Sequence, residues 1–187
     1  MKGYFAILAL ILMVFFVLVR SRQMKKMGIK AFLFGRMDKK DFLIPPFIFL
    51  YFYLIVANVF NLPKFGAVLT DSPVAAWIGV LLCLLAPALF LWGMISFGIN
   101  FRVGIDEDKP GELVSTGAFS ISRNPLYVAF FMVLFGIFLI FPTWIFLLYF
   151  IMGLWLIDRQ VCLEENSLKK TYGKVYDDYC NKVRRYI

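Results

Sequence analysis

The chain has 187 residues, 61% of them hydrophobic, 19% aromatic and only 17% charged, with a mean hydropathy of +0.79. A soluble domain is nearer half apolar and a quarter charged, so this excess marks an integral membrane protein and excludes disordered and collagen-like chains. The net charge of +8 sits beside apolar runs, which fits topology and anionic head groups rather than nucleic acid, and the absence of histidine excludes imidazole metal sites and Ser-His or Cys-His catalysis.

About 20 helical residues cross a bilayer core. The first apolar run, Gly3–Val19, is followed by Arg20 and Arg22 and by no small-residue cleavage site, so it is expected to be a retained anchor. The second run, Phe42–Phe60, carries Pro45 and Pro46 in its first turn, where proline is tolerated. The third, Val74–Ser96, contains Pro87 and is expected to kink there. The fourth stretch, Leu126–Ile157, is 32 residues long. As one helix it would measure about 48 Å, too long for one crossing. Phe141-Pro142-Thr143 divides it, which predicts a tight hairpin of helices four and five.

Basic residues favour one side. Residues 20–41 hold eight Lys/Arg, the loop 97–125 holds Arg102, Lys109 and Arg123, and the tail 158–187 holds seven, against Lys2 and Lys64 opposite. The positive-inside rule makes the three basic segments cytoplasmic. The expected architecture is an all-α integral membrane protein with five transmembrane helices, a helix 4–5 hairpin and a cytoplasmic helical tail. Residues 1–96 form three N-terminal spans and 97–187 a region that carries the chemistry. Cys83, Cys162 and Cys180 have no ligand spacing and are expected to be free thiols, with no metal site.

Polar residues suited to chemistry lie before helix four and after helix five, which a hairpin brings to the same membrane face. Pro125 suits the first turn of helix four and Asn124 its cap. The positive helix end suits an anionic group, while Arg123 can equally reach lipid phosphate. Beyond helix five, with Val161 at 0°, Leu168 and Tyr172 fall within about 20° of it, Glu165 near 40° and Glu164 near 300°. Both carboxylates thus flank an apolar stripe and need a cation, a polar cavity, or partners such as Arg159 and Lys169. Gly173 ends this helix, and a short second helix carries Tyr176 and Tyr179 on one side. Its plain role is interfacial, with tyrosines and arginines at the head groups.

Together the two segments resemble the isoprenylcysteine carboxyl methyltransferase family and the related membrane phospholipid methyltransferases. The resemblance rests on Gly111-Glu112-Leu113-Val114, Gly117-Ala118-Phe119, Arg123-Asn124-Pro125-Leu126-Tyr127, Glu164-Glu165, Tyr172-Gly173, Tyr176-x-x-Tyr179 and Val183-Arg184-Arg185, over about residues 97–187. It implies methyl transfer from S-adenosylmethionine to a lipid-like acceptor at the cytoplasmic face. The acceptor would be a prenylcysteine-type acid or a phospholipid amine. It also implies a cofactor site formed by Glu112, Leu113, Val114, Phe119, Asn124, Pro125, Leu126, Tyr127, Glu164 and Glu165. The family's late Arg aligns with Arg185, while its substrate-orienting Arg falls on Gln160, with Arg159 shifted by one. Arg185 and Arg159 are therefore the candidates to orient an acceptor carboxylate. Asn124 and Phe119 depart from the usual His and Tyr. Alternatives are a nicotinamide-dependent reductase of the sterol-reductase type and a non-catalytic membrane partner.

Overall fold

The computed structural model describes residues 1–26, 44–60, 62–63, 66–98 and 112–187. Most of the basic segment 20–41, Phe42, Lys64, and the loop residues 99–111 with Arg102, Lys109 and Gly111 lie outside the described residues. Among the described residues six α-helices account for nearly all the regular structure: α1 (Gly3–Lys26), α2 (Ile44–Val59), α3 (Pro73–Phe97), α4 (Pro125–Ile140), α5 (Trp144–Tyr172) and α6 (Lys174–Lys182). A short 3-10 turn, Gly117–Ser120, precedes α4. Among the described residues there is no strand, only two isolated bridges.

Three helices, α1, α3 and α5, are long and apolar enough to cross a membrane. The 16-residue α2 and α4 measure only about 24 Å at 1.5 Å per residue, short of a 30 Å core. Two expected boundaries move outward. α1 continues past Val19 through Arg20, Arg22, Lys25 and Lys26, because Arg, Lys and Gln are good helix formers and no breaker intervenes. α5 likewise continues past Ile157 to Tyr172 and stops at Gly173, whose φ of 52° suits glycine. The paired glutamates therefore ride on an extension of a spanning helix. α3 runs as one helix through Pro87.

The helices alternate in direction. Gly3, at the start of α1, lies against Val59, the last residue of α2, and against Phe141, just past α4. The Lys2 ammonium donates to the Pro73 carbonyl at the start of α3. At this end the hairpin tip is held by the chain before α3: Leu69 N donates to Pro142 O at 2.8 Å, and Val68 bridges Thr143. At the opposite end, Arg20 of α1 donates to Gly98 O just beyond α3.

The densest packing is α3 on α4. In a membrane, close approach of backbones replaces the hydrophobic drive, so small residues mark the contact. A Cβ on Gly79 would fall 2.5 Å from Gly136 O, and one on Gly136 would fall 2.9 Å from Gly79 O. Around this contact Cys83, Ala86, Phe90, Ala129, Val133 and Ile137 are buried. Tyr51 of α2 stacks on Tyr149 of α5, with centroids 5.0 Å apart, which brings α2 into the same core. The effect is to fix the start of α4 beside the far end of α5.

Candidate functional site

The segment before α4 is anchored from two directions. Ser96 Oγ accepts the Ala118 amide at 3.0 Å, joining the end of α3 to the 3-10 turn. The buried Phe119 ring meets Phe97 edge-on at 4.9 Å, and its carbonyl accepts the Tyr179 hydroxyl at 2.6 Å. That bond draws α6 inward. Tyr176 and Tyr179 are buried, so they face protein rather than head groups, correcting the interfacial expectation for these two rings. Burial raises the pKa of both hydroxyls, to about 12 for Tyr179. The nearby Glu165 charge adds to the shift at Tyr176.

After α6 the chain returns as an extended strap. Arg123 N donates to Arg184 O at 2.9 Å, and Ser122 pairs in parallel with Arg184. Ser122 Oγ donates to Arg185 O at 3.3 Å, and Asn124 Nδ2 donates to the same carbonyl at 3.1 Å. Tyr186 finishes the strap by donating to Asp158 Oδ1 at 2.6 Å and packing on Phe131 at 5.1 Å.

These contacts converge on two carboxylates. The Glu165 side chain is only 11% exposed. Its Oε2 receives Nε and Nη2 of Arg185, both at 2.9 Å. Its Oε1 receives Asn124 Nδ2 at 3.1 Å and faces Arg123 Nε at 3.5 Å. A buried carboxylate is tolerable only when paired and hydrogen-bonded, and this one is both. Glu164 lies on another side of α5. Its Oε1 accepts the Tyr127 hydroxyl at 2.6 Å and Gln160 Nε2 at 3.0 Å.

Asn124, Glu165 and Arg185 thus meet in one hydrogen-bonded group, and Tyr127 and Glu164 in a second beside it on α4 and α5, the two making up the glutamate cluster, with Phe119 bonded to Tyr179 of α6. Pro125 and Leu126 turn the other way, onto α3 at Gly93. Glu112 is exposed, and Leu113 and Val114 are half-buried in non-helical chain leading to the 3-10 turn. Arg159 is half-buried on α5.

Three sequence expectations change. Asn124 occupies the cap position of α4, but its side chain makes no capping bond. Its Nδ2 donates to Glu165 Oε1 and to Arg185 O, and these two bonds hold the amide in an orientation set by α5 and the strap. Arg123 does not reach outward; its side chain is 14% exposed and faces Glu165. Lys169 serves neither glutamate and pairs with Asp177 at 3.1 Å across the Gly173 bend. Ser122, Asp158 and Tyr186 were not among the expected residues. Nothing local singles out a serine, an aspartate or a terminal tyrosine, and their parts emerge only once the strap is in place.

The family model described as phospholipid methyltransferase matches residues 74–175. No curated protein matches the chain. The matched span runs from the start of α3 to the start of α6 and holds both glutamates, while the strap with Arg185 lies beyond it.

Proposed function

The chain belongs to the phospholipid methyltransferase family, and from that premise we propose that it moves a methyl group from S-adenosylmethionine to the amine of a lipid-like acceptor at the membrane surface. In the same reading α2 and α4 also cross, giving five spans with the polar cluster on the cytoplasmic side. The support is the alternating helix direction and the Lys/Arg asymmetry.

The chemistry of the donor set fits this cofactor. A cationic sulfonium or ammonium suits a carboxylate, and Glu164 supplies one, while Glu165 is paired with Arg185 and Arg123 and would border the site. A cofactor carboxylate suits the start of α4, whose first turn has no side-chain cap from Asn124. Glu112, Leu113, Val114 and Phe119 would border the rest. When bound, the cofactor supplies a methyl group on a positively charged sulfur, so the protein's work is to position the nucleophile and exclude water.

One observation carries the choice of an amine over an acid. Both arginines at the cluster, Arg123 and Arg185, are turned toward Glu165. An acceptor carboxylate that used Arg185 would have to take it from a buried partner. An amine asks for the reverse, a group that accepts a proton. Glu165 already has Arg185 on Oε2 and Asn124 and Arg123 on Oε1. The Tyr176 and Tyr179 hydroxyls are protonated at neutral pH, and burial raises their pKa further above 10. Glu164, whose Oε1 accepts from Tyr127 and Gln160, is the carboxylate we assign to receive the proton. The family match gives no support to the reductase alternative.

The test is equilibrium binding of labelled S-adenosylmethionine to the purified chain, followed by transfer to lipids carrying a primary amine or a carboxylate. Saturable binding with label on the amine lipid is expected. Label on the carboxylate lipid alone would assign the acid chemistry, and absence of binding would remove the methyltransferase reading.

A further inference from the structure

α1 and α3 leave an apolar groove of about 200 Å³ between them, lined by Phe15, Phe16 and Val19 on one side and by Leu91 and Ile95 on the other, and by none of the residues of the glutamate cluster. Arg20 and Gln23 stand at its end. The Arg20 guanidinium donates to Gly98 O and, at 3.2 Å, to Gln23 Oε1. Both acceptors are neutral. Its Nε is buried and has no hydrogen-bond acceptor. Among the described residues no carboxylate lies within ion-pair distance of Arg20. Arg22, Lys25 and Lys26 add three more cations to the last two turns of the same helix.

An arginine beside an apolar wall, with an unmet N–H and no counter-ion among the described residues, is costly to keep. An anion that brings its own apolar chain relieves both costs at once. We propose that this groove binds an anionic phospholipid, one acyl chain lying against Phe15, Phe16 and Leu91 and the phosphate meeting Arg20. The site is distinct from the cluster that would carry the methyl transfer and does not depend on that activity. Selection for net negative charge follows from Arg20, since a zwitterionic head group would bring its own ammonium to the same end of the groove. One consequence is mechanical: Arg20 ties α1 to Gly98, so a lipid held there bears on the end of α3.

Native mass spectrometry of the full chain, loaded with phosphatidylglycerol or phosphatidylcholine of identical chains, tests this. The wild type is expected to retain one phosphatidylglycerol at least about fivefold better than phosphatidylcholine, the effect of roughly one basic residue near a head group. Arg20→Gln should lower that retention about tenfold. Leu91→Trp, which fills the groove and keeps every charge, should lower it as much. Equal retention of the two lipids overturns the proposal, and so does undiminished retention by Leu91→Trp. Displacement by glycerol phosphate at equal concentration also overturns it, because the site would then be a simple anion site. If Arg20→Gln fails to fold, the two-lipid comparison and Leu91→Trp still decide.

Discussion

Glu164 and Glu165 are adjacent in sequence, yet they face different partners, and substitutions should separate them. Glu164→Gln keeps shape and removes charge. Cofactor affinity should fall roughly tenfold, the worth of a hydrogen-bonded charged contact, in a protein that melts normally. An unchanged Kd would take Glu164 out of the site. Arg185→Ala acts on Glu165 instead, leaving Asn124 and Arg123 as its partners. With the guanidinium side chain 42% exposed, the expected cost is about 1–2 kcal/mol, read from denaturant unfolding. Arg185→Lys should recover little, since one ammonium cannot replace two fixed N–H donors. If Arg185 instead orients an acceptor carboxylate, the Ala variant will keep its stability and lose turnover. Tyr179 gives a pH signature. Its pKa is raised from 10.0 to about 12, first by burial, so the folded state holds the proton longer than the unfolded chain. The corresponding stability is complete below about pH 10 and is lost as pH rises toward 12. Tyr179→Phe should flatten part of that alkaline fall while costing about 1 kcal/mol at neutral pH for the lost bond to Phe119 O. Unfolding curves at pH 8 and pH 11 check both halves.

Among the elements, the contact of α3 with α4 sets the position of everything at the cluster end. It depends on two glycines whose backbones touch. A methyl on Gly136 would meet Gly79 O at 2.9 Å, Cys83 Sγ at 3.0 Å and Leu82 Cβ at 3.1 Å. Backbone atoms cannot step aside as a side-chain tip can. Gly136→Ala is therefore expected to cost about 1–3 kcal/mol, the range for overpacking a close-packed contact. A thermal unfolding midpoint at or above wild type in detergent would show that the helices separate freely. The hairpin itself was legible from Phe141-Pro142-Thr143 and from a stretch too long for one crossing. The continuity of α5 was less so. A polar sequence after an apolar run looks like a tail leaving the membrane, and only Gly173 marks where the helix ends.

For the molecule as a whole, the two ends of the helix bundle are distinct. Val68 lies with the hairpin tip at one end, and Ser120 lies beside the strap at the other. If all five apolar helices cross, single cysteines at 68 and 120 in a background without native cysteines should react with an impermeant maleimide from opposite sides of sealed vesicles. Labelling from the same side would mean that at least one short helix does not cross.

Composition and periodicity alone determined the membrane class, the apolar helices, the hairpin and the pairing of two distant segments at one face. These follow from solvent: a bilayer admits few backbone solutions, and apolar runs announce them. The same sequence placed Glu164 and Glu165 beside an apolar stripe and so required partners for them. Which partners could not be read from it. Asn124 was as good a helix cap as a carboxylate donor, Arg123 as good a lipid anchor as a counter-ion, and Lys169 as near in sequence to Glu165 as any cation. The tertiary structure decided among them by folding the strap back across α4 and α5, which brings Arg185 within 2.9 Å of a carboxylate 20 positions earlier. Local sequence fixes which face a side chain occupies. Only chain return fixes what that face meets, because pairing energies in a buried site depend on distance and dehydration rather than on order along the chain.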